Sequence, residues 1–210
     1  MVPTWHFHVS ALSILIPLIL GIFLFKDLSK DLRLFMYYIV LSFVTDLVSF
    51  IVMSYSYRNA PILNIFTVLE FIFLIYILSI WNTYKIFIII FKALIPLFVI
   101  AFVLLDILGV EKFNEIKTIS RTISIGILII FSVITLFTIS DAVKIPIYLD
   151  PRFWITSGIL IYCAGNLLLF LFGIFIYEGE EIYFIHNFSN ILANIFYAGG
   201  LFCSFKLKTR

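Results

Sequence analysis

The sequence predicts an all-α membrane protein, a bundle of seven transmembrane helices forming a single domain over residues 1–210. The first observation behind this prediction is composition. Of the 210 residues, 63% are hydrophobic and 12% are charged, and the mean hydropathy is +1.18, whereas about 25% of the residues in soluble domains are charged. The second observation is run length. Seven apolar runs can each cross a bilayer of about 30 Å, which takes about 20 helical residues.

The predicted spans are separated by short connections, which leave no room for a separate soluble domain. They cover residues 9–25, 34–54, 61–81, 85–108, 116–140, 152–176 and 182–205. Proline placement supports two boundaries. Pro61 opens the third span, and Asp150–Pro151 opens the sixth as N-cap and first helical residue. Pro17 and Pro96 lie inside spans, where proline removes a backbone hydrogen bond, and they predict kinks.

Basic residues are distributed unevenly between the two sides of the predicted bundle. Ten lie on the side of the C-terminus, namely Lys26, Lys30, Arg33, Lys85, Lys92, Lys144, Arg152, Lys206, Lys208 and Arg210. Four lie on the other side, namely Arg58, Lys112, Lys117 and Arg121. The positive-inside rule therefore predicts an N-terminus outside the cell and a cytoplasmic C-terminus. The first run lacks a basic flank and a small-residue cleavage site, so we expect it to be retained.

The last predicted span carries a polar stripe. Its members, His186, Asn190, Asn194 and Tyr197, recur at spacings of four, four and three residues. On a helix that turns 100° per residue, these positions fall within an arc of about 80°. Because lipid cannot form hydrogen bonds with such a stripe, we expect it to face protein or a water-filled cavity.

Four polar residues from four different spans share a depth near the middle of the membrane: Asp46, Glu70, Asn166 and Asn194. A charged residue there costs about 2.5–3.5 kcal/mol on insertion scales, which favours a function. Together with the stripe they predict an intramembrane ligand-binding site of Asp46, Glu70, Asn166, His186, Asn190, Asn194 and Tyr197. A structural role stays open for each, because asparagines and neutral carboxyl groups also hold helices together.

Several chemistries lack the residues they need. The last span has no central lysine for a retinal Schiff base, and His186 is the only histidine within any predicted span. We therefore predict neither a zinc site nor a cofactor. No basic run favours nucleic-acid binding. No internal repeat of the kind that builds many carriers is visible in the chain.

Two short patterns in the last two predicted spans carry a resemblance. They comprise Phe153–Trp154–Ile155, Gly158, Ile161–Tyr162 and Gly165–Asn166, followed by His186, Asn190–Ile191 and Asn194–Ile195. In these the chain resembles small, uncharacterised bacterial seven-span membrane proteins, which are similar in pattern to sensor modules fused to histidine kinases. The resemblance implies a sensor or accessory module of the bacterial inner membrane. With no output domain after Arg210, a signal would pass to a separate membrane or cytoplasmic partner.

The leading functional prediction is a non-catalytic membrane sensor or accessory protein. It would bind a small or lipidic ligand, or a membrane partner, around the polar core. An intramembrane lipid-modifying enzyme, with Glu70 or Asp46 as acid–base group, stays open, as does a proton- or ion-coupled small transporter or channel. A histidine cluster would favour the enzyme, and a continuous water-filled path past Glu70 would favour the transporter. A closed pocket that opens only to the outer leaflet of the membrane would favour the sensor.

Overall fold

The computed structural model describes residues 5–142, 146–173 and 180–208, and every regular element in these ranges is helical. In chain order the elements are α1 (Trp5–Ser13), α2 (Leu15–Leu24), α3 (Lys30–Ser54), α4 (Ala60–Trp81), α5 (Lys85–Ile107), α6 (Thr118–Ala142), a short 3-10 helix (Ile147–Leu149), α7 (Pro151–Gly173) and α8 (Glu180–Lys208). In this described part, the six helices from α3 to α8 are long and apolar enough to cross a membrane. Six of the seven predicted spans thus correspond to such helices.

The first predicted span, 9–25, differs from the others. It consists of the shorter pair α1 and α2, separated at Ile14, and its apolar stretch His8–Leu24 is shorter than the other six. Pro17 explains the break, because its ring has no N–H to donate and crowds the carbonyl four residues earlier, that of Ser13. Pro17 thus lies next to an interruption between two helices, whereas α5 continues as one helix through Pro96.

Several helix ends follow the predicted turn chemistry. Asp150 precedes α7, and its Oδ1 accepts a hydrogen bond from the backbone N–H of Arg152 at 2.8 Å, as an N-cap does. Pro61 lies in the first turn of α4, as predicted. Gly109 follows α5 with a φ of +70°, a conformation that glycine adopts without strain. Residues 174–176 of the sixth predicted span lie outside the described residues.

The long helices alternate in direction, so their connections gather at two ends of the bundle. At the end that includes Lys206, the C-terminal end, the Trp81 Nε1 at the close of α4 donates a hydrogen bond to Asp31 at the start of α3. Asn82 at this end also donates a hydrogen bond to Thr138 near the close of α6. At the opposite end, the N-terminal end, the start of α4 meets the connection between α5 and α6.

Helices α7 and α8 form the most extensive helix pair among the described elements, and small residues set their separation. Gly158 lies against the ring of Tyr197, and Gly200 lies against Ile155 and the backbone carbonyl of Pro151. A Cβ added at Gly200 would lie 2.7 Å from Cγ1 of Ile155 and 2.9 Å from the Pro151 carbonyl oxygen. Small residues at such positions let two helix backbones approach closely within a membrane.

The glycine contacts predict a specific loss of stability. Gly200→Ala should lower the free energy of unfolding by about 1–3 kcal/mol, because overpacking forces the two helices apart. The matched control is Gly126→Ala in α6, where an added Cβ would meet nothing within 4 Å. Thermal unfolding of the two detergent-purified variants provides the measurement. Equal midpoints for Gly200→Ala and Gly126→Ala would contradict the close packing of α7 on α8.

Candidate ligand-binding cavity

A cavity of about 560 Å³ lies between α3, α4, α6, α7 and α8, toward the N-terminal end. This volume lies within the range of about 300–1,000 Å³ that is usual for small-molecule sites. The lining residues are Ser42, Asp46, Leu63, Phe66, Ile116, Thr118, Arg121, Tyr162, Asn166, Leu169, Phe170, His186 and Asn190. Four of the seven sequence-predicted site residues are among them, namely Asp46, Asn166, His186 and Asn190.

Arg121 is the cationic group of the cavity. It lies in the first turn of α6, and its guanidinium carbon is 5.0 Å from the centre of the Phe170 ring. Its Nε atom is buried without a hydrogen-bond partner in the described part of the chain, and no carboxylate there lies within 4 Å. Arg121 nevertheless interacts electrostatically with Asp46, Glu70 and His186. A half-buried guanidinium whose donors lack partners in the described chain can bind an anionic group.

Two side chains fix the backbone at the start of α6 and therefore the position of Arg121. The Glu111 carboxylate accepts hydrogen bonds from the backbone N–H of Ile119 at 2.6 Å and of Ser120 at 3.2 Å, and from the Ser120 hydroxyl. The Asn64 Oδ1 accepts the backbone N–H of Lys117 at 3.1 Å. Acidic groups near a helix N-terminus satisfy donors that the helix itself leaves free.

Lys117, four residues before Arg121, differs from it because its charged group has partners within the protein. Its side chain is buried, and its Nζ lies 3.1 Å from the Asp106 carboxylate and 3.2 Å from the Phe102 carbonyl oxygen. The same Nζ lies 4.0 Å from the centre of the Phe102 ring. Lys117 is therefore paired inside the protein, whereas Arg121 is directed to the cavity without a bound partner.

Asp46 is the anionic group of the cavity. It lies on α3 one turn beyond Ser42, which lines the same cavity. Asp46 is exposed there, and it forms neither a hydrogen bond nor an ion pair with the described residues. The cavity thus contains one cation and one anion that interact across space and do not form a salt bridge with each other.

Three predicted residues supply neutral polar groups. The Nδ2 of Asn166 donates a hydrogen bond to the Tyr162 carbonyl at 2.9 Å, and the Nδ2 of Asn190 donates one to the Ser10 hydroxyl at 2.9 Å. The carbonyl oxygens of both amides form no hydrogen bond with the described residues. The Nδ1 of His186 is buried and likewise has no partner among the residues that the structure describes. Each of these groups remains available to a ligand.

Glu70 lies beside the cavity and does not line it. Its buried carboxyl group accepts a hydrogen bond from the hydroxyl of Tyr38 at 3.2 Å and interacts electrostatically with Tyr162. Tyr162 also lines the cavity, so it separates the ligand space from the acid. The sequence missed both tyrosines as partners of Glu70, because nothing in the spacing of residues on α3 or α7 indicates which helix each phenol faces.

Asn194 and Tyr197 pack helices together and do not line the cavity. The Nδ2 of Asn194 donates a hydrogen bond to the Ser13 hydroxyl at 2.7 Å, at the break between α1 and α2. The Tyr197 ring lies 5.0 Å from that of Phe35, and its hydroxyl is buried without a partner among the described residues. The polar stripe of α8 therefore faces protein, as expected, with its His186 end at the cavity.

The four residues of shared depth do not form a single hydrogen-bonded cluster. Glu70 is hydrogen-bonded to Tyr38, Asn166 to a backbone carbonyl and Asn194 to a serine. None of the described contacts joins a carboxyl group of this set to one of its asparagines, because each asparagine bonds a nearer partner. Arg121 was missed as a site residue and treated only as a charge that sets orientation.

Within the described ranges, no group of three histidine, cysteine, aspartate or glutamate side chains could hold a metal ion. Comparisons with known proteins found no matching family model, no similar curated protein and no similar solved structure. The arrangement of side chains is therefore the basis on which a function can be argued. Chemically, the cavity offers a guanidinium, a carboxylate, an imidazole and two amide groups beside an apolar wall.

The tyrosine pair around Glu70 predicts different outcomes for two substitutions. Glu70→Gln should unfold within a few degrees of wild type, because its side-chain carbonyl can still accept a hydrogen bond from the Tyr38 hydroxyl. Glu70→Leu should lower the free energy of unfolding by about 1–3 kcal/mol, because it leaves that hydroxyl without its acceptor. Thermal unfolding in detergent measures both, with Glu115→Leu at an exposed glutamate as control. If Glu70→Leu were as stable as that control, the hydrogen bond from Tyr38 to Glu70 would contribute nothing to stability.

Proposed function

We propose that the chain is a non-catalytic integral membrane protein that binds a small or lipidic ligand, in the manner of a sensor or accessory protein. The ligand would occupy the cavity between α3, α4, α6, α7 and α8. One observation carries the proposal: Arg121, Asp46 and His186 converge on a single cavity without partners in the described chain. Elsewhere, Lys117 and Glu70 have specific partners.

The free-energy cost of leaving polar groups unpaired supports a ligand-binding role over a purely structural one. The Nε of Arg121 and the Nδ1 of His186 are buried without a partner among the described residues, and an unpaired polar group away from water destabilises a fold by about 1–3 kcal/mol. A structural set of residues would use hydrogen bonds or ion pairs to remove this cost, as Lys117 does with Asp106. Retention of unpaired groups around an open volume is typical of sites whose partner is a ligand.

We infer that the chain crosses the cell membrane seven times, with α1 and α2 together as the first span. Residues 5–24 of this pair would reach about 30 Å as a helix, the thickness of a bilayer core. The basic asymmetry described above favours an outer N-terminus, and the resemblance favours a bacterial inner membrane. In this orientation the cavity would face the outside, and a signal would leave through a membrane or cytoplasmic partner.

The two other classes of function have weaker support. A proton-coupled transporter would use Glu70 in a water-filled path, but Glu70 is enclosed by Tyr38 and Tyr162. A lipid-modifying enzyme would need an acid–base pair around a reacting bond. Of the two described carboxyl groups near the cavity, Asp46 lines it and Glu70 does not. The two therefore do not face a common bond in the cavity as an acid–base pair would.

The inferred orientation can be tested with a reporter that is active only in the cytoplasm. The reporter should be active when fused after Arg210 and silent when inserted after Arg58, an exposed position between α3 and α4. Cellular activity of the two fusions, normalised to protein level, is the measurement. Activity of the Arg58 insertion together with silence of the Arg210 fusion would reverse the orientation.

Ligand retention can be tested by filling the cavity. We expect wild-type protein purified in mild detergent to carry an amphiphile of defined mass in native mass spectrometry. Ser42→Trp should lose this adduct, because the indole would occupy part of the cavity that Ser42 lines. Val44→Trp is the matched control, since Val44 lies on the same helix and its side chain is 45% exposed outside the cavity lining.

Both tryptophan variants should unfold cooperatively at similar temperatures, so that loss of the adduct cannot be ascribed to loss of the fold. Survival of the adduct in Ser42→Trp at the wild-type level would place the bound molecule outside the cavity. That result would contradict the proposed function.

A further inference from the structure

The cavity contains two opposite charges that the described residues leave unneutralised. Arg121 projects from α6 and Asp46 from α3, and both line the same volume. No carboxylate in the described ranges lies within 4 Å of the Arg121 guanidinium, and no cation lies that close to Asp46. The two groups are nevertheless near enough to interact electrostatically.

The identity of the ligand follows from this separation of charge, provided that the proposed function holds. We propose that the cavity binds a zwitterionic head group, with its anionic group on Arg121 and its ammonium group on Asp46. This assignment names the chemical class of the ligand and the residue that recognises each of its charges.

The geometry around Arg121 suits an anion with two oxygens. Phe170 covers one face of the guanidinium at 5.0 Å and restricts its orientation. The N–H groups lie at the edge of the guanidinium plane, where they match the oxygens of a carboxylate or a phosphodiester. Glu111 holds the backbone at the start of α6, from which Arg121 projects, through hydrogen bonds that involve no ligand.

A ligand of one charge would leave the other charge of the cavity uncompensated. An anion bound to Arg121 would face the Asp46 carboxylate, which has no partner of its own among the described residues. A cation bound to Asp46 would face the guanidinium of Arg121. Burying a like-charged or unpaired group is unfavourable, so a molecule with both charges fits the site better than either alone.

The rest of the lining accepts the remainder of such a molecule. Leu63, Phe66 and Leu169 provide an apolar wall next to the charged groups. The free carbonyl oxygens of Asn166 and Asn190 can accept hydrogen bonds from an ammonium group. An ethanolamine phospholipid and a free water-soluble zwitterion both carry an anionic group and an ammonium group. Only the phospholipid also carries acyl chains.

The test compares three molecules on delipidated full-length protein by native mass spectrometry. Dioctanoyl phosphatidylethanolamine has the zwitterionic head group. Dioctanoyl phosphatidylglycerol has the same chains and phosphate, but hydroxyl groups replace the ammonium. Glycerophosphoethanolamine has the head group without chains. We expect the ethanolamine lipid to bind wild type at least tenfold more tightly than the glycerol lipid.

Substitutions assign each charge to its residue. Arg121→Gln should weaken the binding of both lipids at least tenfold, because both lipids have the phosphate. Asp46→Asn should weaken the ethanolamine lipid to a similar extent and leave the glycerol lipid unchanged or tighter. Arg58→Gln and Asp141→Asn, at exposed positions away from the cavity, should alter neither affinity. Thermal unfolding verifies that each variant is folded, and the comparison of lipids on wild type requires no variant.

The soluble probe distinguishes the source of the ligand. Binding of glycerophosphoethanolamine within tenfold of the lipid would identify a free zwitterion as sufficient. Binding of the lipid alone would identify a membrane phospholipid. Both outcomes support the assignment of the two charges.

Equal wild-type affinity for the two lipids, with both weakened alike by Asp46→Asn, would overturn the zwitterion assignment. If Ser42→Trp still abolished lipid binding in that case, the proposed function would stand without this inference. If Ser42→Trp bound the lipids as wild type does, the bound molecules would lie outside the cavity and both proposals would fail.

Discussion

Hydrocarbon cannot form hydrogen bonds, and this constraint determines where the polar side chains of the chain lie. In water an unpaired amide or hydroxyl group costs little, but in a bilayer it must find a partner within the protein. The buried amide of Asn194 bonds Ser13, and the buried acid Glu70 accepts the hydroxyl of Tyr38. These contacts join α8 to the α1–α2 break and α4 to α3. Two of the side chains whose buried polar atoms lack a hydrogen-bond partner among the described residues, Arg121 and His186, line one cavity, whereas the others carry single hydroxyl groups that lie elsewhere in the helices.

The contrast between Lys117 and Arg121 links that constraint to function. These two basic residues are four positions apart at the start of α6, and Glu111 and Asn64 hold this segment in place. Lys117 has a carboxylate, a carbonyl and an aromatic ring around its ammonium group. The Arg121 guanidinium packs on the ring of Phe170 and forms no ion pair with a described carboxylate. Because Lys117 has its partners within the protein and Arg121 has no anionic partner among the described residues, this contrast favours a ligand-binding role for Arg121.

Hydropathy predicted the six long helices because each apolar run has the length that a bilayer requires. The polar stripe on α8 was also predictable, since helical spacing alone places His186, Asn190 and Asn194 on one side. The cavity was only partly predictable. Glu70 has a central position in its span, but its tyrosine partners come from other helices whose rotation the sequence does not specify. Arg121 lies near the end of a predicted span, where a basic residue also suits the lipid surface.

The central claim is that Arg121 belongs to a ligand site and does not hold the fold together. Its most direct test is the thermal stability of delipidated Arg121→Met beside Lys117→Met, both measured in the same detergent. Lys117→Met should unfold at a lower temperature than wild type, because it leaves Asp106 without its buried cation. Arg121→Met should unfold at the wild-type temperature or above it, since it removes a charge that lacks a partner. A loss of stability in Arg121→Met as large as that in Lys117→Met would contradict this account.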